Sequence, residues 1–364
     1  MSNIWLGRNV LVTGHTGFKG SWLIQWLHHL GARVHGYALP PKFDPDGQKP
    51  LFLDAELKNI LTSHTEGDIR DLNLLKKVWA DSQAEVFFHL AAQALVRESY
   101  QNPLDTFNVN TLGTASVLEA VRLTNRPAVV VVITSDKCYQ NFEQIWGYRE
   151  IDPLGGSDPY SASKGAAEIV AQSYRDSFFP PDKLDSHGVR LATVRAGNVI
   201  GGGDWAEDRL VPDIVRALIK QQTISVRNPR AIRPWQHVLE PLSGYLFLAE
   251  KLLTQPQEPL WCSAWNFGPE PGDIWSVARM AESFCNIWGP DSHWVDVSDK
   301  NAFPEAGLLS LSIERARNIL GWSPRWTTEM AIDRTAKWYK ASIQDGFKAL
   351  KACQTDIVRY LEVH

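Results

Sequence analysis

Short apolar runs alternate with amphipathic stretches through the first half of the chain. The most apolar run is Ala128-Val129-Val130-Val131-Val132-Ile133. Short and β-branched, it reads as a strand buried on both faces of a parallel sheet. Further strands are expected at Asn9–Thr13, Arg33–Ala38, Thr62–Gly67, Glu85–Ala91 and Arg190–Arg195, with the fifth extending over residues 128–135. Amphipathic spacing predicts helices over Ser21–Leu30, closed by Gly31, and over Asp71–Ala80, Phe107–Leu123 and Tyr160–Phe178. Strand and helix alternate throughout, so an α/β doubly wound parallel sheet is the economical fold.

The texture changes after Gly201. Gly201-Gly202-Gly203-Asp204 and Asn228-Pro229-Arg230 are turn chemistry. Helical patterns follow at Val211–Lys220, Glu240–Leu253, Trp275–Trp288, Ile313–Leu320 and Thr328–Ser342. The expected organisation is a dinucleotide-binding Rossmann domain over residues 1–190, with the strand near 190–196 returning to its sheet. A smaller, mostly helical lobe over 197–364 would bind the substrate.

Composition narrows the function. A formal net charge of −4 on 364 residues offers no basic field for nucleic acid. No apolar stretch reaches the roughly 18 residues that a membrane helix requires. The cysteines Cys138, Cys262, Cys285 and Cys353 are scattered, without metal-ligand spacing. With no leader segment evident, a cytoplasmic protein with reduced thiols is expected, and no metal.

Gly14, Gly17 and Gly20 follow the first strand and open the first helix. A helix N-terminus offers unpaired N–H groups and partial positive charge to a pyrophosphate, and glycines let the backbone approach it. Dinucleotide binding is therefore expected here. An acid about 20 residues on would grip the adenosine ribose, but the second strand ends Tyr37-Ala38-Leu39-Pro40, with neither an acid nor an arginine for a 2′-phosphate. NAD is favoured over NADP for want of that arginine. Asp68-Ile69 either reaches the adenine or caps the next helix. Leu90, Ala91 and Ala92 end the fourth strand, where small residues would let the cofactor lie against backbone.

Ser135-Asp136-Lys137 stands at the carboxyl end of the fifth strand, where open α/β sheets bind ligands. Tyr160 and Lys164 lie one helical turn apart. A phenol is a poor base at neutral pH, and a nearby ammonium stabilises its phenolate. Ser135 would hold a substrate alcohol against Tyr160 while a nicotinamide accepts its hydrogen.

These motifs, with Gly14–Gly20, His89-Leu90-Ala91-Ala92-Gln93 and Asn110-Thr111-Leu112-Gly113-Thr114, resemble the extended short-chain dehydrogenases/reductases over essentially the whole chain. Thr134–Tyr139, Arg195–Trp205 and Arg233–Val238 resemble the sugar-nucleotide dehydratases, in the branch that acts on CDP-glucose. Where related dehydratases have Asp-Glu after the fifth strand, that branch and this chain have Asp136-Lys137. The resemblance implies NAD as cofactor, dehydration of CDP-glucose at C5 and C6, a homodimer, and products feeding deoxy sugars of surface polysaccharides. Oxidation at C4 would make the C5 proton acidic, Lys137 would remove it, and Asp136 would protonate the departing C6 hydroxyl. Thr16 and Phe18 belong to the cofactor loop, and Asn110 supports the site. Gln93, Asn198, Arg209, Arg230, Arg233 and Gln236 are the expected substrate contacts. Arg233 is preferred for the diphosphate, because arginine forks match phosphate oxygens. Trp205 and Trp235 either stack on substrate or pack in the core, and His89 and His237 read as structural. A 4-epimerase, a GDP-mannose-type dehydratase and a non-catalytic NAD(P)-sensing regulator are the rival readings.

Overall fold

A computed structural model describes residues 3–298, 308–344 and 348–363. Seven strands form one parallel sheet: β1 (Asn9–Thr13), β2 (Arg33–Ala38), β3 (Ser63–Glu66), β4 (Val86–His89), β5 (Ala128–Ile133), β6 (Val189–Ala196) and β7 (Ala264–Phe267). Their order is β7-β6-β5-β4-β1-β2-β3. The order reverses beside β1, between β2 and β4, and a ligand crevice is expected at that point.

β5 shows why an unbroken apolar run belongs at the centre. Val129, Val131 and Ile133 face one core, while Ala128, Val130 and Val132 face the other. On the second face lie α2 (Leu72–Ser82), α3 (Gly113–Thr124) and α4 (Pro159–Phe178). On the first lie α1 (Phe18–His29) and α6 (Leu239–Thr254). Between α4 and α6 comes α5 (Leu210–Ile219), and α7 (Val277–Trp288), α8 (Thr328–Gln344) and α9 (Ala349–Glu362) complete the C-terminal half.

Several boundaries differ from the sequence pattern for local reasons. The run expected as one helix over Phe107–Leu123 opens with a π-turn at Asn108–Leu112. Ile313–Leu320 is likewise largely a π-turn, over Ala316–Leu320. α7 begins at Val277 because the Ser276 hydroxyl accepts the Arg279 N–H at 3.2 Å, which leaves Trp275-Ser276 to pair with Ile232-Arg233. β7 comes from well beyond residue 197 and pairs with β6, so the sheet draws on both halves of the chain. α9 was not expected. It buries Ala352, Cys353, Ile357 and Tyr360 and packs against α1. Among the described residues no helix is long and apolar enough to cross a membrane, and no cluster of side chains suits a metal ion. All four cysteines are buried and free.

Candidate active site

A cleft of about 1450 Å³ runs along the carboxyl ends of the strands. Single small-molecule sites span roughly 300–1,000 Å³, so this one has room for two large ligands. Its floor at one end is the glycine loop. Gly14 has φ +70°, and a Cβ there would lie 2.6 Å from the Ala91 nitrogen. A Cβ on Gly20 would strike the Gly14 carbonyl oxygen. The loop is therefore wound tightly enough to bring the α1 N-terminus to the cleft. Gly14, Thr16, Gly17, Phe18, Gly20, Asp68, Ile69, Leu90, Ala91 and Ala92 all line it, which suits a dinucleotide.

The adenosine end is built differently from the common pattern. The Thr16 hydroxyl donates to the Leu39 carbonyl at 3.0 Å, where a ribose-binding acid would otherwise stand. Beneath it, His15 Nε2 lies 2.8 Å from His64 Nδ1, and burial holds His15 far below its usual pKa, at about 3. Asp68 is held by Arg70 at 2.6 Å. The cap of α2 is Asp71, which accepts the Leu74 N–H at 3.0 Å. That leaves Asp68 on the cleft wall rather than at a helix cap.

The candidate reacting groups converge beyond the glycine loop. β5 stops at Ile133, short of the expected 135, because Ser135 caps the turn Asp136–Cys138; its hydroxyl donates to Asp136 Oδ1 at 2.9 Å and accepts the Lys137 N–H at 3.2 Å. Lys137 Nζ stands 3.7 Å from Asp136 Oδ1. Asp136 Oδ2 is buried and has no hydrogen-bond partner among the described residues. Tyr160 and Lys164 come from the first turns of α4, where Asp158 caps the helix by accepting the Ser161 N–H at 2.9 Å. Burial pushes the Tyr160 phenol up to about 12, opposed by a hydrogen bond with Ser135 and by the charge of Arg209. Arg209, expected from sequence only as a substrate contact, thus also bears on this phenol. Burial lowers the Lys164 ammonium to about 8, with Glu168 opposing, and its Nζ lies 3.5 Å from the Ile133 carbonyl oxygen.

Lys19 was missed from sequence. It lies between the second and third glycines of the loop and lines the cleft. Burial, then the charges of Arg209, Lys164 and Lys137, bring it down to about 7, with only Asp136 opposing. Its signal was a cation inside a phosphate-binding loop.

A buried ionic network fixes the Asp136–Tyr139 turn from behind. Glu168, one turn beyond Lys164, pairs with Arg195 of β6 at 2.9 Å. Its carboxylate also accepts the hydroxyls of Thr134 and Thr193. Arg195 reaches the Tyr139 hydroxyl at 2.7 Å, and Tyr139 donates to Asn266 of β7 at 2.8 Å. Asn110, at the π-turn, joins the β4 end to α4. It accepts the Gln93 N–H at 2.9 Å and donates to Ser163 at 2.8 Å.

The expected substrate contacts separate into two groups. Asn198, Arg209 and Arg233 line the cleft, and Arg209 is held at 3.0 Å by Asp204. Gln93, Arg230 and Gln236 do not. The Gln93 amide is bonded to Leu95 and Thr106, Arg230 is exposed beside Asp296, and Gln236 is buried, donating to the Phe267 carbonyl at 3.0 Å. Trp235 lines the cleft, whereas Trp205 packs against Tyr339. His89, between Thr13 and Thr114, and His237, beside Trp22 and Trp326, are buried; burial holds each at about 3, which suits structural roles. Arg97, Asp208 and Arg227 also line the cleft, and no sequence motif pointed to them.

Comparison with known proteins agrees with this geometry. The chain is 49% identical over 359 residues to a CDP-glucose 4,6-dehydratase of Salmonella typhimurium, covering 99% of this chain and 98% of that protein. A dTDP-glucose 4,6-dehydratase of Streptomyces antibioticus is 25% identical over 346 residues, covering 91% and 92%. The crystal structure of a dTDP-glucose 4,6-dehydratase from Bacillus anthracis in complex with NAD shares the fold. Its TM-score is 0.74 at 19% identity, over 94% of this chain and all of that one. Residues 10–261 match the model of the NAD dependent epimerase/dehydratase family, and the chain belongs to that family.

Proposed function

We propose that this enzyme is a lyase that dehydrates CDP-glucose to CDP-4-dehydro-6-deoxyglucose, recycling one tightly held NAD. The observation that carries the reading is the meeting of Ser135, Asp136 and Lys137 with Tyr160 and Lys164 at one end of a cleft large enough for two ligands. The choice of cytidine rests on the Salmonella relative. The cofactor, when bound, would supply the redox balance: it would take the C4 hydride and, after water has left, return it to C6 while C5 regains a proton.

Gly14, Thr16, Gly17, Phe18, Gly20, Asp68, Ile69 and the Leu90–Ala92 backbone would hold the dinucleotide. Tyr160 accepts the C4 hydroxyl proton. Ser135 orients that hydroxyl and steadies the phenolate, and Arg209 and Lys164 supply positive charge to the enclosure. Once C4 is a carbonyl, the C5 proton lies α to it and is labile. Lys137, reaching into the cleft from beside Asp136, removes it. Asp136, with one carboxylate oxygen free of partners among the described residues, delivers a proton to the departing C6 hydroxyl, which leaves as water. Arg209 and Arg233 meet the diphosphate. A 4-epimerase needs no acid–base pair at Asp136-Lys137, and that pair favours dehydration.

We also propose a homodimer. Leu104, Phe107 and Leu112 are exposed on the helical segment preceding α3, and Ile169 on α4. These elements pack side by side, which places an apolar face on one flank of the sheet, and such faces commonly mark an interface.

The test is to incubate the protein with CDP-glucose and follow the sugar by NMR. A 4-keto-6-deoxy product is expected without net NADH accumulation, and deuterium placed at C4 should appear on the C6 methyl group. Absence of that transfer would overturn the scheme.

A further inference from the structure

Beyond the diphosphate, a sugar nucleotide carries its base to the end of the cleft farthest from C4. The short strand Ile224–Val226 and the loop after it supply one wall of the cavity, which Ser225, Arg227 and Asn228 line together with Val277 and Val297. Arg227 and Asp208 stand together there. Arg227 Nη1 donates to Asp208 Oδ1 at 2.8 Å, and Arg97 Nη1 lies 3.1 Å from the same oxygen. Asp213 steadies the far side of the fork, 3.5 Å from Arg227 Nη2. Arg227 and Asp208 are each about 40% exposed, open to the cavity rather than sealed by protein. Asp208 holds its place through a left-handed backbone at φ +58°, an uncommon conformation for a residue with a side chain.

An arginine fork beside a carboxylate presents donor, donor, acceptor in sequence. The pairing edge of cytosine presents the complement: O2 and N3 accept and the N4 amine donates. Uracil presents acceptor, donor, acceptor. Against uracil the fork would meet the N3 hydrogen and the carboxylate would meet O4, so two of three contacts turn repulsive. We propose that Arg227 and Asp208 read the base, and that this couple selects cytosine over uracil. Arg97, reaching Asp208 from the helix Val96–Gln101, fixes the carboxylate so that it enters the contact already oriented. The inference rests on the dehydratase reading above and assigns that site its base specificity.

The test measures kcat/KM with CDP-glucose and with UDP-glucose for the wild type, Arg227→Lys, Arg227→Met and Asp208→Asn. Lysine keeps the charge and its pairing with Asp208 but loses the fork. A bidentate contact discriminates bases by about 10- to 100-fold. The wild type is expected to prefer CDP-glucose by at least that factor, and both Arg227 variants should lose most of the preference. Asp208→Asn, whose amide can donate to O4, should move the ratio toward UDP-glucose. If Arg227→Met fails to fold, Arg227→Lys still decides. Full cytosine preference in Arg227→Lys, or no preference in the wild type, would overturn the assignment. A wild type that makes no 4-keto product from CDP-glucose would instead defeat the dehydratase reading.

Discussion

Lys137 Nζ lies 3.7 Å from Asp136 Oδ1, yet the lysine side chain is 32% exposed to the cleft while the aspartate is 2% exposed. The pair is therefore asymmetric: one member reaches into the ligand space and the other is anchored by Ser135. That division suits a base that touches the sugar and an acid held against the strand end. Lys137→Met should abolish solvent-deuterium entry at C5 while still allowing an NADH absorbance to develop with CDP-glucose. Normal C5 exchange in this variant would place the base elsewhere.

The two roles proposed for Arg209 are separable by kinetics. Its charge opposes the burial that raises the Tyr160 phenol to about 12, together with the Ser135 hydrogen bond and against Asp136 and Asp158. Removing the charge raises that pKa further, because the phenolate loses a partner. Arg209→Met should therefore move the limb of kcat that rises with pH to more alkaline values, by about one unit. Arg209→Lys should restore it in part. A rise in KM with an unmoved limb would confine Arg209 to the diphosphate.

The apolar flank makes a prediction about assembly. Leu104 is 79% exposed and Ile169 57%. Glutamate at both positions would put charges into the centre of the proposed interface. The wild type is expected to sediment at about twice its 40.9 kDa chain mass, and the double variant at the chain mass with its fold retained by circular dichroism. A dimer that survives both substitutions would locate the interface elsewhere.

Much of the sheet could be read from local pattern. After Ala128, β5 is all Val and Ile because both of its faces are covered, and the periodicity of α4 places Tyr160 and Lys164 one turn apart. β7 escaped because Ala264-Trp265-Asn266-Phe267 is too short to carry a period, and only the β6 edge gives it a place. That Ser135, Asp136, Lys137, Tyr160 and Lys164 share one cleft was legible because they sit on only two local segments. Arg97, Asp208 and Arg227 were not. They come from three separate segments, and only the tertiary fold brings them together. Arg209 was legible only as a substrate contact for a related reason: which charges reach a buried phenol depends on distance in space, and Arg209 arrives from the other half of the chain.

Glu240 supplies a pH-dependent contribution to stability. Its carboxylate lies in α6 and accepts the Trp326 N–H at 2.7 Å, the Arg325 N–H at 3.1 Å and the Tyr360 hydroxyl at 2.7 Å, so it ties α9 to the core. Burial raises it from 4.5 to about 7 despite those donors. In the unfolded chain it loses its proton near 4.5, whereas in the native protein it keeps the proton until about 7. Across that window the native state binds more protons, so stability falls as pH rises. A carboxyl moved from 4.5 to about 7 contributes on the order of 3 kcal/mol over that window. Glu240→Gln removes the titration. The decline of Tm between about pH 4.5 and pH 7 should be shallower in the variant than in the wild type. Asp356, which burial raises to about 6, titrates in both proteins and cancels in the comparison. Equal slopes would mean that Glu240 is ionised in the native protein throughout, with its three donors outweighing the cost of burial.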